Sequence, residues 1–358
     1  MEQADISPLD REDLRTRVSK SVQSFLASQV DVLDLVSPDV APLSESVTDL
    51  LAGGKRLRPA FCYWGWRGAG GEDSPAAMDA AASLEFLQAC ALIHDDVMDG
   101  SDTRRGMPAA HRRFASLHRG NSWLGSSEAF GLGSAILVGD LCLAWADQML
   151  LDSGLPAAAL ARGKPVYDEM RVELMAGQYL DLLEQARGGG SVERAMRVVR
   201  YKSAKYTIER PLHLGAALAG APPEIRDAYS AYGLPLGAAF QLRDDVLGVF
   251  GDPEMTGKPA GDDLREGKRT VLVAKALEAA SPGQAHVLRT YLGDPSLDAD
   301  HIDQMREIIT ETGALAQVET LIAELAEESH AAITEVDLHP PAADVLVGLI
   351  VAATARKV

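Results

Sequence analysis

SPAAMDAAASLEFLQACALIHDDVMD, residues Ser74–Asp99, is the stretch that decides the fold. Its apolar residues recur at the helical period with no alternation of the kind a strand needs. It ends in Asp95, Asp96 and Asp99. Residues i and i+4 lie on one face of a helix, so Asp95 and Asp99 converge while Asp96 flanks them. Carboxylates this close repel one another unless a cation lies among them. A solvated acidic helix end is the plainer alternative, but aspartate at a C-terminus opposes the helix dipole. Oxygen-only donors of this kind suit Mg²⁺, which shares its shell with water and phosphate oxygens.

The same periodicity continues outward in both directions. It predicts helices over roughly Asp10–Val36, Ser44–Ala52, Arg58–Gly68, Gly131–Leu151, Pro156–Arg187, Val192–Ala219 and Pro223–Phe250, then Asp263–Ala280, Ala285–Leu292, Ala299–Thr312, Ala314–Val336 and Pro341–Arg356. Glycine and proline clusters punctuate them. Pro211 and Pro235 fall inside helical patterns, where kinks are expected. Two polar stretches, Gly100–Phe130 and Gly251–Asp262, read as loops, each following an Asp-bearing helix end. The expectation is one all-α domain over residues 1–358, a helical bundle around a central apolar cavity.

Composition limits what such a chain does. A net charge of −18 over 358 residues argues against nucleic-acid binding, which wants spread positive charge. Cys62, Cys90 and Cys142 sit wide apart in apolar surroundings and read as reduced thiols of a cytoplasmic protein. Residues 1–11 are acidic, without the apolar core of a signal peptide. The most apolar windows are interrupted by Asp140 and Asp147, or are too short, so no transmembrane segment is expected.

A second acidic helix end follows at Phe240–Asp245, FQLRDD, with Gly248 where a third carboxylate would stand. Alone, Asp244 and Asp245 beside Arg243 read equally as an ion-pair cluster; the pairing of two such ends strengthens both. Cations complete the pattern. Lys55, Arg56 and Arg58 stand at a helix start, where backbone N–H groups also favour anions. Arg104 and Arg105 follow the first acidic end; Lys202 and Ser203 sit on a later helix, and Lys258, Lys268 and Arg269 flank the loop after the second. Two cationic sets near two acidic ones suit two diphosphates, only one of them held through metal.

Here the sequence resembles a known family. Leu92–Gly106 (LIHDDVMDGSDTRRG), Gly54–Pro59 (GKRLRP) and Phe240–Thr270 (with DDVLGVFGD and TGKPAGDDLREGKRT) are similar, in order and spacing, to the motifs of the trans-isoprenyl diphosphate synthases. The resemblance implies the isoprenoid synthase fold, a set of about three Mg²⁺ ions, and a homodimer. It implies that Asp95, Asp96, Asp99, Asp244 and Asp245 bind metal, and that Arg104, Lys202, Lys258, Lys268 and Gln241 surround an allylic diphosphate. Lys55, Arg58 and Arg105 would hold isopentenyl diphosphate without metal. Gln88 stands where the family often has histidine, and its amide can still donate to a phosphate.

Product length is read from the helix leading to Asp95, each turn descending about 5.4 Å, roughly one isoprene unit. Ala91 and Cys90, four and five positions before Asp95, are small, so the tail passes to Leu87 and Leu84, with Trp145 part of the floor. A C20 product, geranylgeranyl diphosphate, is expected, with C15 and C25 as the alternatives. A class I terpene cyclase of the same fold and a non-catalytic subunit of a heteromeric synthase are the alternatives.

Overall fold

The computed structural model describes residues 7–188, 190–252, 261–294 and 296–354; Lys258 lies outside them. The chain divides into two compact units, Met1–Lys164 with Leu214–Ala221, and Pro165–His213 with Pro222–Val358.

In the first unit, α1 (Leu14–Asp34), α2 (Ala41–Leu51), α3 (Leu57–Gly68) and α4 (Pro75–Asp99) precede a short hairpin, α5 (Ala110–Gly120) and α6 (Ser127–Leu151). The Ser74 hydroxyl accepts from the Ala77 N–H and Pro75 occupies the first turn of α4, a start that satisfies one orphan donor and needs none from proline. Gly100, at φ 67°, ends the helix in the left-handed conformation glycine adopts without cost. Between these ends α4 packs on α1, α3 and α6. Leu84, Phe86 and Leu87 are almost fully buried, each contributing about 1.5–3 kcal/mol by leaving water.

The polar stretch Gly100–Phe130 is more ordered than its composition predicts. It holds strands β1 (Thr103–Arg104) and β2 (Met107–Pro108), helix α5, and the first turn of α6. The buried stripe of α5 is His111, Phe114, Ala115 and His118, the i, i+3, i+4, i+7 pattern with histidine at two of four places. Histidine does not count as apolar in a periodicity reading, which is why this helix goes unseen there. Both α4 and α6 are long and apolar enough to cross a membrane by length and composition; the apolar window of α4 is 72% buried within the chain and that of α6 39%.

The second unit carries most of α7 (Ala157–Ala186), then α8 (Val192–Val198), a π-helical segment Val199–Glu209, the start of α9 (Arg210–Ala219), and α10 (Pro223–Phe250). The helical run over Val192–Ala219 is as predicted, but its irregularity is the π segment ahead of Pro211. Proline lacks an N–H and its ring crowds the carbonyl four residues earlier, which a wider turn relieves. α10 keeps Pro235 within it and packs on the π segment and on α15 (Ala314–Thr334). Helices α11 (Asp262–Glu266), α12 (Val271–Ala279), α13 (Pro282–Tyr291), α14 (Ala299–Glu311) and α16 (Ala342–Thr354) complete the order. The core here gathers Leu242, Val246, Leu264, Leu272, Met305 and Val318.

A buried polar network backs the π segment. Glu173 accepts from Lys205 and from Arg210, whose Nε lies 2.7 Å from Oε2. His213 Nε2 donates to the Arg226 carbonyl at 3.0 Å while Nδ1 accepts from Arg210 at 3.4 Å. Burial, then the Arg210 charge, pushes His213 down to about 4. The folded protein thus holds this imidazole neutral, whereas the unfolded chain protonates it below about 6.5. Its contribution is complete above that pH and is lost as pH falls toward the folded value. Urea unfolding at pH 7.5 and pH 5 is expected to show about 2 kcal/mol of stability loss that His213→Gln removes; an equal loss in the variant would refute this.

Candidate active site

The first acidic cluster is organised by the hairpin that follows it. β1 and β2 pair Thr103 with Pro108 and Arg104 with Met107. Arg105 and Gly106 form the two-residue turn, both at positive φ (54° and 75°), the combination that matches strand twist. The turn folds Arg104 back onto α4, where Nε donates to Asp96 Oδ1 at 2.9 Å and Nη2 lies 3.5 Å from Asp95 Oδ2. Asp96 is buried, and Asp95 and Asp99 are half-buried. One guanidinium therefore supplies positive charge to two adjacent carboxylates. Asp96 and Arg104 line a cavity of about 310 Å³ with Asp49, Ile93 and Arg113.

Arg105 donates to the Leu50 and Gly53 carbonyls, each at 2.8 Å, tying the hairpin to the segment that carries Lys55 and leads into Arg58 at the start of α3. Lys55 is exposed and Arg58 half-buried. Gln88, Ala91 and Asp95 form a half-buried stripe along α4, with buried Leu84 continuing it. Leu87 and Cys90 are buried beside that stripe, and Cys90 Sγ lies 3.7 Å from His94 Nδ1. Trp145, on α6, meets Phe86 edge-on at 6.1 Å.

The second unit brings Lys202, Ser203, Gln241, Asp245 and Lys268 around one cavity of about 60 Å³, together with Asp181. They arrive from α7, the π segment, α10 and the turn after α11. Close backbone approach holds the π segment: a Cβ on Gly177 would lie 2.4 Å from the Lys202 N, and one on Gly237 would lie 2.4 Å from the Ala204 Cα. Lys202 Nζ donates to Asp181 Oδ2 at 2.6 Å, and Gln241 Nε2 to Asp245 Oδ1 at 2.7 Å. Lys268 Nζ lies 2.8 Å from Glu266 and 3.3 Å from Asp263. Burial pushes the Asp245 carboxyl up to about 8, with Asp263 and Asp244 adding to it against the Gln241 hydrogen bond. Burial disfavours the charged form of this group, so a cation bound there would displace a proton. Arg243 turns elsewhere: both terminal nitrogens meet Glu319 at 2.6 Å, so the aspartate pair is not simply its ion partner.

Two residues of this site escape a sequence reading. Asp181 lies on a helix that also carries Asp168, Glu169, Glu173 and Glu184, so nothing in the sequence sets it apart from the other acidic residues there. Asp263 is the other. At Gly248, where a third carboxylate would stand, a Cβ would sit 1.9 Å from Asp263 Oδ2. The carboxylate of a different helix occupies the space that a side chain there would take. Gly248→Ala is therefore expected to displace Asp263 from Lys268 and cost about 1–2 kcal/mol, yet to be nearly neutral in an Asp263→Ala background. A double-mutant cycle from urea unfolding measures this; additive effects would refute the contact.

Asp95, Asp96, Asp99, Arg104, Arg105, Lys55, Arg58 and Gln88 belong to the first unit, and Lys202, Ser203, Gln241, Asp244, Asp245 and Lys268 to the second. Residues 40–309 match the polyprenyl synthetase family. The chain is 36% identical to a geranylfarnesyl diphosphate synthase of Aeropyrum pernix over 81% of its own length and 86% of that relative. It is 32% identical to a geranylgeranyl diphosphate synthase of Sulfolobus acidocaldarius, over 76% and 78% of the two chains. The crystal structure of a Corynebacterium glutamicum geranylgeranyl pyrophosphate synthase, complexed with isoprenyl diphosphate and magnesium, superposes with a TM-score of 0.93 at 44% identity, covering 99% of this chain and 100% of that one. Ordered motifs, an all-α fold and these likenesses together place the chain in the polyprenyl synthetase family, as a trans-prenyltransferase.

Proposed function

We propose that the chain works as one domain and a homodimer that condenses isopentenyl diphosphate with an allylic diphosphate, giving geranylgeranyl diphosphate. The carrying observation is that Lys202, Gln241, Asp245 and Lys268, far apart in sequence, converge on one cavity. The exposed apolar face of α6, with Leu132, Ile136 and Leu137, supports the homodimer.

The donor sets fit Mg²⁺. Asp95, Asp96 and Asp99 with Asp244 and Asp245 offer only hard oxygens, and Arg104 against Asp95 and Asp96 shows that this pair takes positive charge. Among the described residues no three His, Cys, Asp or Glu side chains already converge as a metal site, so substrate phosphate oxygens would complete each shell. About three ions are proposed. When bound, magnesium neutralises charge that accumulates on the departing diphosphate.

The protein's own cations do the rest. Arg104, Lys202 and Lys268, with Lys258 beyond the described residues, hold the allylic diphosphate and stabilise it as the C–O bond breaks. Gln241 orients Asp245 through its amide. Lys55, Arg58 and Arg105 hold isopentenyl diphosphate so that its double bond meets the allylic cation from a fixed position, which is catalysis by proximity. The departing diphosphate takes the final proton. A terpene cyclase needs no second cationic set, and isopentenyl diphosphate left unconsumed would favour that reading.

Removing one metal-binding carboxylate, as in Asp95→Ala or Asp244→Ala, is expected to lower kcat by about 10²–10³-fold. Near-normal turnover in either would defeat metal-assisted ionisation. Ala91→Phe or Cys90→Phe is expected to shorten the main product from C20 to C15, read by mass spectrometry of the dephosphorylated alcohols. Unchanged length in both would remove these positions from the ruler.

A further inference from the structure

The three cations of Lys55-Arg56-Leu57-Arg58 are not equivalent. Lys55 is exposed and Arg58 half-buried, but Arg56 is only 4% exposed and points into the first unit. Its guanidinium donates to the Glu85 carboxylate and to the Leu51 carbonyl, and Nη2 lies 3.5 Å from Ser19 Oγ. Glu85 is itself 4% exposed and sits on α4, ten residues before Asp95. One buried group thus ties α1, the end of α2 and α4 to the loop between α2 and α3.

The backbone at Arg56 is left-handed, φ 58° and ψ 33°, a conformation that costs a residue with a Cβ about 1–2 kcal/mol. Something must hold it there. A buried ion pair is a poor device for stability alone, since apolar residues of similar size are often as stabilising or more so. What an apolar pair cannot do is aim a forked, multi-donor group at a carboxylate and a carbonyl together. That aim sets the direction of residue 56, and with it the outward direction of its neighbours.

We infer that the Arg56–Glu85 pair is a positioning device: it presents Lys55 and Arg58 to isopentenyl diphosphate and locks their loop to the helix that bears the first acidic cluster. Neither member touches substrate. The inference rests on the assignment of Lys55 and Arg58 to isopentenyl diphosphate.

The test uses the full-length enzyme carrying Arg56→Met together with Glu85→Leu. Its unfolding midpoint should stay near or above that of the wild type. KM for isopentenyl diphosphate should rise about tenfold, the equivalent of one charge-assisted contact, while KM for the allylic substrate changes less than about twofold. Calorimetric binding of isopentenyl diphosphate in the presence of a chelator should weaken in parallel. Should the double variant fail to fold, Arg56→Gly, which suits the left-handed backbone and lacks the guanidinium, must show the same selective effect. An unchanged KM for isopentenyl diphosphate in a folded variant overturns the inference, as do two KM values that rise together. Lys55→Ala separates the cases. If it raises KM for isopentenyl diphosphate and the pair variants do not, positioning alone fails; if it has no effect either, the loop's assignment fails as well.

Discussion

Carboxylates placed at the ends of apolar helices must be matched by positive charge, and that requirement organises this protein. Asp96 is buried at the end of α4, and Asp245 is buried near the end of α10. Neither position is comfortable for an anion in isolation, since burying an unpaired charge costs several kcal/mol. In the first unit the answer is Arg104, folded back by a two-residue turn. In the second, Lys202 and Lys268 pair with Asp181, Asp263 and Glu266, while Asp245 is held by the Gln241 amide and burial pushes its carboxyl up. Sites built this way are receptive to a metal–diphosphate assembly, because the ligand brings cations and anions in the proportion that each cluster lacks.

The scaffold serves that end by rigidity. α4 is packed on several sides, so its last turn is held by a core rather than by a loop. The π segment presents Lys202 and Ser203 from a helix clamped by close glycine contacts on α7 and α10. Widened helical turns are uncommon and tend to occur where side chains must be re-aimed for function. Here the turn precedes Pro211 and carries Lys202, which lines the cavity of the second unit, so one local irregularity meets a backbone need and places a cation.

Much of this was legible in the order of residues. The helical period of Ser74–Asp99 and Pro223–Phe250 announced both acidic ends, because long apolar periodicity with clustered aspartates is a local signal. Features that depend on contacts distant in sequence were not. α5 buries histidines, which a hydropathy pattern counts as polar. Asp263 fills the place of a missing side chain at Gly248 from another helix, and nothing near position 248 reports it. Arg56 reads as one more surface cation among three, and only its burial against Glu85 sets it apart. Local chemistry was visible, while three-dimensional substitution of one residue for another was not.

The central physical claim is that Asp95 and Asp244 act on one diphosphate through metal. A crystal structure of the enzyme with magnesium and a non-ionisable thiolo analogue of an allylic diphosphate examines it directly. Both carboxylates should coordinate ions that share oxygens of the same diphosphate. A diphosphate held through metal by Asp95 alone, with Asp244 contacting neither ion nor ligand, would contradict the claim.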